Sequence, residues 1–126
     1  MISAIHLTTV FVSDQEKALD FDVNTLGFQK TQDAAFGEGQ RFLVVVPPGA
    51  VTGLALTLPS DMGLGAGVIG RYTGISMLAK DIMATYEELS KRGVAFQQPP
   101  ERMPWGSLAT WFSDPHGNGY FLAEPE

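Results

Sequence analysis

The chain has 126 residues, 44% of them hydrophobic and 17% charged, which fits one compact domain with an apolar core and excludes a disordered segment. Its net charge of −6 sets it against a phosphate backbone, so nucleic acid is excluded as a partner. No Cys means no disulfide framework, thiolate metal site or cysteine nucleophile, and the longest apolar stretch, Phe42–Leu58, is broken by Pro47-Pro48-Gly49 before reaching the ~20 residues of a membrane helix. Met1–His6 carries no basic region or cleavage pattern, so the expectation is a cytoplasmic protein without an export signal.

Thr8–Asp14 reads as a strand that ends at a helix cap. Ser13 and Glu16 have the spacing of a capping box, and Asp14 adds negative charge at the helix N-terminus. Ala18, Leu19, Phe21, Val23 and Leu26 then give an apolar helix face, which Gly27 terminates. Three strand candidates follow: Phe28–Asp33, Arg41–Val46 and Val51–Leu58, the last two separated by the Pro-Pro-Gly-Ala turn at Pro47–Ala50. Pro59–Gly67 has no periodicity and reads as a flexible connector.

The opening phrase then recurs. Ile75–Asp81 is a second strand ending at an acidic cap, followed by a helix with Ile82, Tyr86 and Leu89 on one face. Lys91 and Arg92 suit its C-terminal dipole, and Gly93 closes it. On the exposed side, Glu87 and Glu88 are spaced to pair with Lys91. Three more strand candidates complete the chain: Val94–Gln97, Leu108–Ser113 and Tyr120–Ala123, with Asp114–Gly119 turning between the last two. Asp14 and Asp81 lie 67 positions apart, and Gly27 and Gly93 lie 66 apart, so cap, helix and terminating glycine recur together. The layout is βαβββ, connector, βαβββ.

Val10-Phe11-Val12-Ser13-Asp14, Asn24-Thr25-Leu26-Gly27-Phe28, Ala84–Gly93 and Asp114-Pro115-His116-Gly117-Asn118 give the chain its resemblance to the vicinal oxygen chelate superfamily of glyoxalases, bleomycin-resistance proteins and dioxygenases. The resemblance spans nearly the whole chain. It implies an α+β fold of two βαβββ modules in tandem, each a curved four-stranded mixed sheet around a cavity with one helix on the convex side. The expected division of this single domain is module 1–58, linker 59–71 and module 72–126.

Metal-dependent members of that superfamily place His, Gln or Glu ligands on the first and last strand of each module. Strand alternation puts Val10 and Val12 toward the helix and Leu7, Thr9 and Phe11 toward the cavity. The first ligand position falls on Leu7, with His6 one residue off and on the wrong face. Val51–Leu58 contains no Asp, Glu or His, and the remaining two positions fall on Gly74 and Phe121. A divalent ion needs several oxygen or nitrogen donors at close range, and His6, His116 and Glu124 do not converge. His116 reads as a solvated turn residue, His6 as an edge or helix-side residue. The expectation is no metal, no other cofactor and no catalytic set; neither a Gly-x-Ser-x-Gly elbow nor a phosphate loop is present.

Aromatic placement carries the positive signal. Phe11 and Phe121 take cavity positions, and Trp105 sits in a loop stiffened by Pro104 and Gly106. Trp111 and Phe112 alternate, so one of them faces inward. The candidate ligand-binding set is Leu7, Thr9, Phe11, Phe42, Ser76, Arg102, Trp105, Trp111 and Phe121, with Arg41 as a further source of charge or hydrogen bonds. These residues describe a metal-free, cytoplasmic protein that holds a planar or hydrophobic small organic molecule. By its likeness to bleomycin-resistance proteins, the chain is expected to sequester an antibiotic. The rival readings are a metal-dependent lyase or dioxygenase and a metal-free enzyme. A homodimer is expected, since half-chains of about 60 residues bury too little of their surface to stand alone.

Overall fold

The computed structural model describes residues 1–126 and divides them into two compact units, Met1–Ile69 and Gly70–Glu126. In the first unit, strand β1 (Leu7–Phe11) leads through helix α1 (Gln15–Asp20) to β2 (Gln29–Phe36), β3 (Gln40–Val46) and β4 (Gly53–Thr57). The sheet order is β1-β4-β3-β2, with β1 parallel to β4 and the other neighbours antiparallel. In the second unit, β5 (Tyr72–Leu78) and helix α2 (Ile82–Lys91) are followed by β6 (Ala95–Phe96), β7 (Glu101–Arg102), β8 (Leu108–Ser113) and β9 (Gly119–Ala123). Here the order is β5-β9-β8-β6, and β5 is parallel to β9. The sequence-expected α+β fold of two tandem modules is the observed one.

Local chemistry accounts for most boundaries and corrects several. Asp14, not Ser13, caps α1: its Oδ1 accepts the Lys17 N–H at 3.0 Å. Asp81 caps α2 in the same way, through the Ala84 N–H at 3.1 Å. α1 is short because the chain widens into a π turn over Phe21–Thr25 before Gly27, at φ 84°, ends the element. The Pro47–Ala50 turn forms as expected, with Gly49 at φ 76° and the Ala50 N–H bonded to the Pro47 carbonyl. Pro59–Met62 and Ala66–Val68 form 3₁₀ turns where a flexible connector was expected. The second sheet has a fifth strand, the two-residue β7, which the spacing did not indicate. On α2 the ion pair is Glu88–Arg92 at 3.1 Å instead of one to Lys91.

Each sheet buries the face that carries its helix. In the first unit this face holds Val10, Val12, Leu43, Val45, Leu54 and Leu56, all nearly free of solvent. Gln15, at the start of α1, ties helix to sheet by donating to the Leu56 and Arg41 carbonyls at 2.9 and 3.2 Å. In the second unit Tyr86 of α2 packs edge-on to Phe96, with ring centroids 4.9 Å apart. The contact continues through Phe112 to Tyr120, at 5.9 and 5.1 Å.

The Asp114–Gly119 turn is a brace for the second sheet. The Asp114 carboxylate accepts the His116 and Asn118 N–H groups, the Asn118 side-chain amide and the Tyr120 hydroxyl, all at 2.9–3.1 Å. Asn118 is buried and its Oδ1 accepts the Gly70 N–H at 2.9 Å, which fixes the entry to β5. His116 is not the solvated residue the sequence implied: both its ring nitrogens are buried and have no hydrogen-bond partner.

Candidate functional site

With the helix faces occupied, the opposite faces are where side chains remain available. In the first unit, β1 pairs Leu7 with Gly53, Thr9 with Ala55 and Phe11 with Thr57, and β3 adds Val44 opposite Ala55. Alternation therefore places Leu7, Thr9, Phe11 and Phe42 together on the helix-free face. Phe42 is 37% exposed there. Arg41, one residue earlier, lies on the other face. Its guanidinium holds Asp33 at 2.7 and 2.8 Å and Glu16 of α1 at 2.5 Å. Hydrogen bonds from Arg41, and then from Lys30, keep the Asp33 carboxyl well below the usual carboxylate range, and Asp33 and Glu16 in turn raise Arg41. Arg41 is a strut between sheet and helix.

In the second unit, Ser76 pairs with Phe121 and Phe121 with Trp111, which sets all three on one helix-free face. The ladder settles which of the alternating aromatics belongs there: Phe112 lies under α2, and Trp111 lies on the free side. Trp111 and Phe121 are 5.1 Å apart, ring to ring. Trp105 leans on Phe121 at 6.3 Å and stays 58% exposed, in the hairpin between β7 and β8. Arg102 lies at the base of the same hairpin. Its Nη1 donates to the Gly106 carbonyl, closing the hairpin that carries Trp105.

Sequence reasoning missed Tyr72. The ladder puts it opposite Gly119 on the Trp111 face, 59% exposed, at the start of a strand that begins three residues earlier than the hydrophobic pattern shows. A Cβ on Gly119 would lie 3.4 Å from the Tyr72 ring, so the glycine keeps the floor beside that ring low. Together with Ser113 and Ala95 on the neighbouring strands, it makes a row of small side chains between Tyr72 and the far edge of the sheet. A cleft of about 280 Å³ opens there, bounded by Tyr72 and Trp111.

A metal does not fit this donor set. The helix-free positions of β1 and β4 hold Leu7, Thr9, Phe11, Ala55 and Thr57, and those of β5 and β9 hold Tyr72, Ser76, Phe121 and Ala123. Neutral hydroxyls, which are weak metal donors, stand in place of the carboxylates and imidazoles that a divalent ion requires. No group of three His, Asp or Glu side chains with metal-holding spacing occurs in the structure. Glu124, the acid nearest the last strand, is engaged at the start of α2, where its Oε2 accepts the Ile82 N–H at 3.1 Å. What the arrangement offers chemically is stacking surface and neutral hydrogen-bonding groups.

Comparison with known proteins gives a consistent result. The family profile of the Glyoxalase/Bleomycin resistance protein/Dioxygenase superfamily matches residues 4–120. A crystal structure of a member of that superfamily from Sphaerobacter thermophilus DSM 20745 is 54% identical, with a TM-score of 0.91 and 98% of each chain covered. TnmS3, an antibiotic binding protein from Streptomyces sp. CB03234, is 40% identical with a TM-score of 0.82, covering 99% of this chain and 98% of its own. The uncharacterized protein YetH of Bacillus subtilis (strain 168) is 35% identical over 124 residues, 98% of this chain and 100% of its own.

Proposed function

The chain belongs to the glyoxalase/bleomycin resistance protein/dioxygenase superfamily, and on that premise we propose that it is a metal-free protein that binds a planar or hydrophobic small organic molecule and sequesters an antibiotic. The observation that carries the reading is the aromatic ridge Trp105–Phe121–Trp111 on the helix-free face of the second sheet. An indole more than half exposed, held in a hairpin by Arg102, is costly to leave in water unless something covers it. Rigid aromatics lose little conformational entropy on binding, which makes them efficient anchors. The 40% identity to an antibiotic binding protein, over nearly the full length of both chains, supports the ligand class. The acidic balance of −6 favours a neutral or cationic ligand.

The same reading includes Leu7, Thr9, Phe11, Phe42 and Ser76 as contact residues and assigns Arg102 to positioning Trp105. The protein acts as a homodimer, which would cover exposed apolar side chains such as Leu78 and Tyr72. Its proposed place of action is the cytoplasm, and no helix of the chain is long and apolar enough to cross a membrane.

The test is a fluorescence titration of the chelator-treated protein with planar aromatic antibiotics. Saturable quenching of the two indoles is expected, and Trp105→Ala should weaken binding by about 2 kcal/mol, the size of an aromatic anchor. Binding that appears only after a divalent metal is restored would instead support the lyase or dioxygenase reading.

A further inference from the structure

The first sheet carries a second cleft, of about 320 Å³, whose walls differ from the aromatic ridge. Its floor is Leu7, Val44 and Val46, its wall is Gln29 and Gln32 of β2, and His6 stands at its rim. The two glutamines are three positions apart, and in a regular strand they would point to opposite faces. A β-bulge between Lys30 and Gln32 changes this: Gln29 pairs with Val46 and Gln32 with Val44, so both carboxamides project from the helix-free face. The same bulge sends Lys30 to the helix face, where its Nζ meets Asp33 at 3.1 Å. One extra residue thus sorts charge to one side of the sheet and amides to the other. The floor is shaped with equal care. A Cβ on Gly53 would come within 2.8 Å of Val46 and 3.1 Å of Val44, so only glycine lets these valines close over that position.

In a chain of net charge −6, this cleft is lined by no carboxylate, Lys or Arg, and His6 is its only titratable side chain. The Gln29 and Gln32 amides are used by no other group of the protein. A carboxamide offers a donor and an acceptor side by side, and it pairs with a partner that presents the reverse order. The geometry points to a site for a neutral cyclic amide, a lactam or imide whose N–H and C=O lie next to each other, seated on Val44 and Val46 and bonded by Gln29 and Gln32. This rests on the reading that the helix-free faces receive small organic molecules, and it names the chemistry of one such ligand.

The experiment is an NMR titration of the full chain with 2-pyridone, with N-methyl-2-pyridone as the control that lacks the donor. 2-Pyridone is expected to shift the Gln29 and Gln32 side-chain amide signals and the backbone signals of Val44 and Val46. N-methylation should weaken binding about tenfold, the worth of one to two hydrogen bonds. Gln29→Leu/Gln32→Leu, both at exposed positions, should fold with unchanged Val45 and Leu54 signals and erase the difference between the probes. Equal affinity for the two probes, or unaltered 2-pyridone binding in the double variant, would overturn the proposal. Shifts confined to the Trp105 and Trp111 indoles would overturn it too, while leaving the aromatic binding reading in place. That reading fails separately, by the absence of quenching with planar antibiotics.

Discussion

The two sheets repeat one frame and fill it with opposite chemistry. In the first, an ion network of Lys30, Asp33, Arg41 and Glu16 fastens the helix side, and the free side is aliphatic and amide-bearing, with Phe11 and Phe42. In the second, aromatic rings fasten the helix side, from Tyr86 through Phe96 and Phe112 to Tyr120, and a second aromatic set occupies the free side. The shared features are those the backbone demands: an Asp cap, a glycine after the helix, a parallel pairing of first and last strands. The lesson is that the frame fixes where a free face lies and leaves its chemistry to individual side chains.

Neighbouring residues on β8 separate the two faces of the second sheet most strongly. Phe112→Ala removes a ring that is almost wholly buried and should cost about 3–5 kcal/mol by chemical denaturation. Trp111→Ala, on the free face, should cost clearly less stability while weakening ligand binding. Equal losses of stability would mean that the two faces are equally core. Next in size is Asp114→Ala. It removes the acceptor shared by four donors of the turn and β9 and should cost about 2–3 kcal/mol, read by hydrogen exchange as faster opening within Gly70–Glu126. Exchange that accelerates equally in Met1–Ile69 would contradict the division into two units.

His116→Leu should act in the opposite direction. Replacing a buried imidazole that has no partner by an apolar group should raise the stability by about 1 kcal/mol, seen as a higher Tm. A loss would mean that the imidazole has a partner in solution. The smallest effect belongs to the surface ion network. The folded-state pKa of Asp33 is depressed, so its contribution is present above its ordinary value of 3.8 and is lost as the pH falls from there through the folded value. Asp33→Asn should lower the stability slightly above that value and leave it unchanged at the acid end, flattening the acid limb; the loss is small because exposed pairs are heavily screened.

Much of this was legible in the sequence, for identifiable reasons. Asp14 and Asp81, Gly27 and Gly93, and the alternation at Leu7, Thr9 and Phe11 are local signals, and the structure follows them. Non-local facts were hidden. Whether Trp111 or Phe112 faces α2 depends on the β8–β9 register, since both are apolar and adjacent. Arg41 looked available because its partners, Glu16 and Asp33, are distant in the chain or on another strand. The side-by-side placement of Gln29 and Gln32 needs a bulge, which periodicity cannot show. Arg102 was noticed, but its bond to Gly106 depends on β7, two residues long and without a pattern of its own.

On the proposed reading, the aromatic face holds an intact small molecule without metal. Native mass spectrometry of the protein before and after chelator treatment, incubated with the planar antibiotic that quenches its indoles, tests it most directly. A bound mass equal to that of the unaltered compound, no metal adduct, and loss of the complex in Trp105→Ala are expected. A stoichiometric metal adduct that is required for binding, or release of the compound with an altered mass, would contradict it.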